Sequence, residues 1–338
     1  VTLTRNSECP PVMESKADIK GPVPPPLTYF ESFVAVVVLF LVVGSFQLVF
    51  ASVWGCIFWW LFTGSSTPIF LLITMFSTLL IPKGYSEAFC RLPCWPIVHK
   101  YFCYRRITTP CENFPDPKKQ YMIVEYPHGT FPIATLCMAT LFDKNYDYYK
   151  SKGMSVRGIS ASVLFYIPLV RHMMAFFGAL PATKESFMEA FRTAGCCSVL
   201  PGGIAEMFMV EEDRDRIYFK KRFGYIKVAL ESGVDIVPVF HFGNAQILRV
   251  IGKSGILAYM SRKLKMSIML PYGRWGLPIP FRQPILSVVG APIKVKKTLN
   301  PSRELVREYQ KKIEESFREM YIKHRHKNGW ADRELSIE

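Results

Sequence analysis

Apolar residues run almost unbroken from Phe33 to Phe62, pause at Thr63-Gly64-Ser65-Ser66-Thr67-Pro68, and resume from Ile69 to Ile81. A membrane-crossing helix takes roughly 20 residues, which the first run supplies on its own. The second reaches that length only by joining residues 54–62 through a kink at Pro68. The pattern predicts a helical membrane hairpin over 31–82, re-entrant or spanning, with its turn near 44–55 or 63–68. It starts too late and is too long for a cleavable signal. Residues 1–30, ahead of it, are expected to be disordered.

After Pro82 the pattern changes. Residues 83–120 mix Pro, Cys and Arg with Tyr85, Phe89, Trp95, Tyr101, Phe102 and Tyr104, a composition suited to a lipid–water interface. Beyond Gln120, short apolar runs alternate with helix-like stretches. The expected strands are 121–125, 154–160, 196–200, 234–240, 267–271 and 285–289. The expected helices are 130–142, 183–194, 215–231 and 301–323. Asn300 and Pro301 open the last, which lines up Leu305, Tyr309, Ile313, Phe317 and Met320 on one face. This alternation predicts an α/β layered domain over 121–325, followed by a tail at 326–338.

Charge sharpens the picture. The formal net charge is +15, yet between Gly21 and Pro82 Glu31 is the only charged residue. Arg5, Lys16 and Lys20 precede the apolar stretch, and Lys83, Arg91, Lys100, Arg105 and Arg106 follow it, which points both ends to the cytosol. Such a balance suits an anionic membrane face or an anionic substrate; no nucleic-acid-binding pattern is present. Nine scattered cysteines suggest reduced thiols. Cys90, Cys94, Cys103 and Cys111 are conceivable zinc ligands, but they lack the close spacing of most structural sites.

Two stretches carry candidate chemistry. In Glu125-Tyr126-Pro127-His128-Gly129-Thr130-Phe131 a histidine sits on a turn between a strand and a helix that Thr130 could cap. An imidazole there can serve as a general base, and free amides at the helix start could hold an oxyanion. A turn histidine bonded to backbone fits the same pattern. In Pro201-Gly202-Gly203-Ile204-Ala205-Glu206 paired glycines follow a strand and a carboxylate comes shortly after; a plain turn with a surface glutamate fits equally. Among cations, Lys220, Arg222, Lys227, Arg171, Lys184 and Arg192 could meet phosphates. The chain has no G-x-S-x-G elbow around Ser198, no phosphate-binding or dinucleotide glycine loop, and no metal-ligand spacing among His99, His172, His241, His324 and His326. Covalent catalysis by Cys196 or Cys197 has nothing to support it.

Together these stretches resemble the type-2 diacylglycerol acyltransferase family, from about Pro82 to about Lys296. The matching pieces are Lys83-Gly84-Tyr85 with the 89–106 block, Tyr126-Pro127-His128-Gly129, Arg171-His172 through Gly178, Pro201-Gly202-Gly203 through Glu206, Arg222-Phe223-Gly224 through Lys227, Val237-Pro238-Val239 through Gly243, and Val289-Gly290-Ala291-Pro292-Ile293. Two positions depart from the family: Tyr126 stands where many members have a first histidine, and Asn244 where many have glutamate. The acid of the similar H-x4-D centre of glycerol-phosphate acyltransferases is replaced by Ile133.

The resemblance implies an acyltransferase-like layered domain, a mixed sheet flanked by helices, behind the membrane hairpin. It also implies transfer of a fatty acyl group from acyl-CoA, as substrate and not cofactor, to diacylglycerol. His128 and Glu206 become the catalytic pair, His128 as base and Glu206 orienting it or the glycerol backbone, with no acyl-enzyme and no metal. Pro127, Gly129, Gly202, Gly203, Arg222, Gly224 and Lys227 become substrate-binding positions, Arg222 and Lys227 toward the CoA phosphates. Membrane lipid is an expected partner and nucleic acid is not. The endoplasmic reticulum membrane and lipid droplets are the expected locations, and a homo-oligomer is compatible with the chain. Monoacylglycerol, a wax alcohol or a sterol could replace the acceptor. A non-catalytic lipid-droplet protein and a hydrolase are readings from other classes.

Overall fold

The computed structural model describes residues 23–111, 114–141, 150–151, 153–211, 214–251, 259, 270–330 and 332–338. Most of the segment expected to be disordered, residues 1–22, therefore lies outside the described residues.

The first apolar run divides into two helices at Gly44, at the edge of the first expected turn region, 44–55. α1 (Tyr29–Val43) ends at Gly44, and α2 (Ser45–Thr63) follows immediately. Thr28 and Glu31 form a reciprocal cap at the start of α1, and Lys100 holds the Glu31 carboxylate at 2.8 Å. Through that tether α1 lies on α5 (Cys94–Tyr101), the helix after the short α4 (Glu87–Cys90). Its Ala35, Leu39, Val42 and Val43 are buried with Trp95, Val98 and Phe102. α1 therefore belongs to the folded core. α2 and α3 (Thr67–Ser77) pack together across the 63–67 turn, one of the two turns expected, with Trp54, Phe58, Phe62, Phe70 and Ile73 exposed. Among the described residues α2 alone is long and apolar enough to cross a membrane, spanning about 28 Å at 1.5 Å per residue.

The remainder is built on a seven-stranded mixed sheet in the order β1-β10-β7-β2-β5-β3-β4. The strands are β1 (Arg105–Thr108), β2 (Tyr121–Tyr126), β3 (Ser155–Ser160), β4 (Ala179–Pro181), β5 (Gly195–Val199), β7 (Asp235–Phe242) and β10 (Leu286–Val289). β2, β5 and β7 are parallel neighbours, and β10 runs antiparallel to β7. Two further pairs lie outside this sheet: β6 (Asp215–Ile217) with β11 (Leu335–Ile337), and β8 (Arg249–Ile251) with β9 (Leu270–Tyr272).

Both faces of the sheet are covered, so its central strands read as nearly continuous apolar runs. On one face Met122, Val124 and Tyr126 pack with Tyr309, Ile313, Phe317 and Met320 of α11 (Arg303–His324). That face also takes α8 (Lys184–Ala194) and α10 (Gly224–Ser232). The other face carries α1, α5 and α6 (Ile133–Ala139), while α7 (Val170–Phe176) leads into β4.

Several expectations are corrected. The helix expected over 215–231 is β6 followed by α10, because Asp215–Ile217 pairs with a strand more than a hundred positions away. The helix expected from Thr130 begins only after Pro132, and the Thr130 hydroxyl donates instead to the Leu248 carbonyl at 3.3 Å. Ser302, not Asn300, caps α11. Segment 83–120 supplies the edge strand β1, and tail 326–338 supplies β11, so the α/β fold draws on residues beyond 121–325 at both ends. Residues 267–269 of one expected strand lie outside the described residues; the strand there is Leu270–Tyr272.

Candidate active site

Parallel strands aim their C-terminal ends at one edge of a sheet, which is where α/β folds place ligands. Here β2 ends at Pro127-His128-Gly129, β5 leads to Gly202-Gly203, and β7 ends at Gly243-Asn244. Both sequence motifs and the Asn244 position therefore meet at adjacent strand ends.

His128 is half-buried on the turn after β2. Its Nδ1 lies 2.9 Å from the Gly129 carbonyl. A carbonyl only accepts, so Nδ1 carries the proton and Nε2 keeps its lone pair. Burial pushes the imidazole pKa down and the Gly129 contact opposes it; the net direction is down. A neutral ring presenting Nε2 is the form a general base needs.

Glu206 lies on the short helix α9 (Ile204–Met207) and is 1% exposed. One carboxylate oxygen accepts the His128 backbone N–H at 2.5 Å and the other accepts the Tyr218 N–H at 2.8 Å. The carboxylate thus holds the backbone of the histidine turn and does not touch the ring. Burial raises its pKa to about 8, against the pull of those two amides and Arg222. Gly202 makes this possible: a Cβ there would lie 2.1 Å from the Glu206 carboxyl carbon.

Asn244 completes the clamp. Fully buried, it donates through Nδ2 to the carbonyls of Pro127 (3.2 Å) and His128 (2.9 Å), and its Oδ1 accepts from the Ala134 N–H (3.0 Å). It caps α6 and pins the turn with one amide group. Gly129, at φ +63°, is packed so closely that a Cβ would meet the Asn244 carbonyl oxygen at 2.9 Å. The amides at the start of α6 are consequently taken: Ile133 donates to Phe131 and Ala134 to Asn244. Among the described residues, the first two amides of that helix and the His128 N–H are therefore not free to hold an oxyanion.

Of the expected substrate-binding positions, Pro127, Gly129, Gly202 and Gly203 lie in these two turns. Arg222 is brought beside them, its Nη2 3.5 Å from the Gly202 carbonyl and its guanidinium 5.1 Å from the Tyr218 ring centre. Gly224 opens α10, and Lys227 on the same helix faces Glu231 at 3.8 Å, a carboxylate that Lys184 also holds. No contact among the described residues joins Lys227 to the histidine turn. Tyr126, in the departed first-histidine position, is a core residue with its ring edge-on to Phe317.

A second histidine–carboxylate pair was not legible as such. His241, a lone histidine in the sequence, sits fully buried with Nε2 2.8 Å from Glu125 and Nδ1 2.9 Å from the Ser287 hydroxyl. Ser198 and Thr135 donate to the same carboxylate. Burial pushes the Glu125 carboxyl up, but His241, Ser198 and Thr135 outweigh it and hold the pKa below the usual range. The signal available was two titratable residues, each inside an apolar strand, where each needs a partner. The residue types are those of a hydrolase triad, but the ring is sealed from any substrate. Cys196 and Cys197 are equally sealed in β5, and burial pushes the Cys196 thiol up to about 12, which rules against a thiolate nucleophile. No cluster fit to hold a metal occurs among the described residues.

The diacylglycerol acyltransferase family model matches residues 60–338. Diacylglycerol O-acyltransferase 2 of Dictyostelium discoideum is 29% identical, over 81% of this chain and 86% of that protein. Acyl-CoA wax alcohol acyltransferase 2 of Mus musculus is 24% identical over 89% and 91%, and 2-acylglycerol O-acyltransferase 1 of Bos taurus is 28% identical over 66% and 70%. Among solved structures, the 1-acyl-sn-glycerophosphate acyltransferase PlsC of Thermotoga maritima superposes with a TM-score of 0.40 at 14% identity, over 81% of this chain and 95% of that one. The motif match inferred from the residues and the family match over most of the chain agree: the chain belongs to the diacylglycerol acyltransferase family and is an acyl-CoA-dependent O-acyltransferase.

Proposed function

We propose that this protein transfers a fatty acyl group from acyl-CoA to the free hydroxyl of diacylglycerol, with His128 as the general base. One observation carries the reading: the turn is clamped by Glu206 and Asn244 while Nε2 of His128 is left as a lone-pair acceptor. Nε2 takes the hydroxyl proton as the oxygen attacks the thioester carbonyl. The tetrahedral intermediate then collapses, the carbon–sulfur bond breaks, and the imidazolium returns its proton to the CoA thiolate. Among the described residues nothing accepts from the amides of Gly129 and Thr130, which makes them the candidates to hold the oxyanion.

Arg222, beside the Gly202 carbonyl, is the cation best placed for the CoA phosphates, and Lys227 is the weaker candidate. Glu206 acts as a positioning residue. The exposed apolar faces of α2 and α3 support embedding in a membrane; the endoplasmic reticulum and lipid droplets, with the catalytic domain on the cytosolic side, are the locations the family resemblance implies. The wax alcohol and 2-acylglycerol acyltransferases among the relatives support a second reading, in which a monoacylglycerol or wax alcohol is the acceptor. Incubating purified protein with labelled acyl-CoA and a panel of acceptor lipids tests both. Triacylglycerol as the main product is expected, and wax ester or diacylglycerol in its place would reassign the acceptor.

A further inference from the structure

Residues 161–169, between β3 and α7, read Ala-Ser-Val-Leu-Phe-Tyr-Ile-Pro-Leu, without one charge. A surface connection of this composition is unusual, because loops normally face water with polar side chains. Tyr166 is 76% exposed and Leu169 52%. Leu169 also has φ +61°, a region that residues with a branched side chain rarely occupy. Strain and exposure of an apolar group are both unfavourable in water, and this residue bears both.

The connection lies at the foot of α3. Arg171 donates to the Leu79 carbonyl, His172 Nε2 lies 3.3 Å from the Ile81 carbonyl, and the Lys83 ammonium stands 4.3 Å from the centre of the Phe165 ring. Leu80 and Ile81 are themselves exposed, so one apolar surface runs from the end of α3 to Leu169. Lys83 and Arg171 add positive charge at its rim, and among the described residues neither forms an ion pair with a carboxylate. An apolar loop with an exposed tyrosine and a cationic rim is the composition that settles at the boundary of headgroups and acyl chains.

We infer that the exposed side of residues 163–169, led by Tyr166 and Leu169 while Phe165 packs inward, forms a second membrane contact in the interface of the bilayer that takes α2 and α3, with Lys83 and Arg171 against the phosphates of anionic phospholipids. This rests on the reading of α2 and α3 as membrane-embedded. Two contacts on one face fix which side of the domain meets lipid.

Photo-crosslinking of the full chain in vesicles tests this. Benzoylphenylalanine replaces Phe62, Tyr166, Leu169 or Lys311 one at a time, in phosphatidylcholine vesicles with or without phosphatidylserine and a labelled tracer phospholipid. Lipid adducts are expected at 62, 166 and 169, and none at 311, whose side chain is 79% exposed on α11. Phosphatidylserine should raise the yield at 166, and Lys83→Gln should remove about fivefold of that gain, the effect of one cation near a charged surface. Adducts at 62 without adducts at 166 and 169 overturn the inference while leaving the hairpin standing. No adduct at 62 either overturns the membrane reading and this inference with it. A yield at 166 indifferent to phosphatidylserine overturns the role of the cations.

Discussion

His128 with Glu206 and His241 with Glu125 are the same two residue types used for opposite ends. In the first pair the carboxylate takes backbone amides and leaves the ring free at Nε2; in the second it takes the ring itself, and Ser287 takes the other nitrogen. A histidine held at both nitrogens and sealed from substrate braces the sheet, whereas one held at a single nitrogen on a half-buried turn can move a proton. In the proposed mechanism, chemistry depends on which atom of the imidazole is left unbonded, not on the presence of a nearby acid.

The sharpest break of that comparison is His128→Ala, expected to lower turnover about 10²- to 10⁴-fold while the chain still inserts and folds. Acyl transfer by the purified variant in vesicles measures it, and near-parent turnover removes His128 from the mechanism. His241→Ala should do the reverse. It removes one of the three side-chain partners of the buried Glu125 carboxylate, leaving Ser198 and Thr135, and costs about 1–3 kcal/mol of stability, which appears as a lowered Tm in a melting scan. If His241→Ala melts like the parent, the brace is not a brace.

Smaller effects sharpen the contrast. The Glu206 pKa of about 8 lies above the ordinary carboxyl value, so the folded chain binds this proton more tightly than the unfolded chain. Its contribution to stability is fully present below the unfolded value and fades as pH rises through about 8. Glu206→Gln should remove that alkaline decline in Tm, and an unchanged decline would assign it to another group. Because the His128 pKa is shifted downward, kcat/KM should hold steady near neutrality and fall only below about pH 6.5, where the ring protonates. An acid limb above that point contradicts a depressed base. Lys227→Ala, removing an exposed lysine from a long 3.8 Å helical pair whose carboxylate Lys184 also holds, should change stability by less than about 0.5 kcal/mol; its effect on the KM for acyl-CoA decides whether the residue meets phosphate at all.

How much was readable follows from where each signal lies along the chain. β2 and β7 announced themselves, because strands covered on both faces need unbroken apolar residues. β4 and β11 are three residues each, too short for any periodic signal. Residues 215–231 looked helical because their charges suit a helix, yet Ile217 is buried only because β11 comes back to pair with it. Phe33–Phe62 read wholly as membrane hairpin, but Glu31, just ahead of it, tethers α1 to Lys100 and turns that helix into core.

The local order of residues was sufficient to determine the apolar helices of 45–77, the α/β alternation, and the two turns bearing His128 and Glu206. Those properties come from period, turn chemistry and charge, all expressed within a few neighbouring positions. Only the tertiary structure decided that Glu206 grips the histidine's amide from 78 positions away, that Asn244 caps α6 from 110 positions away, and that His241 has a partner. Hydrogen bonds between residues so far apart in sequence leave no local pattern. They exist because the parallel sheet brings the ends of β5, β2 and β7 to one edge.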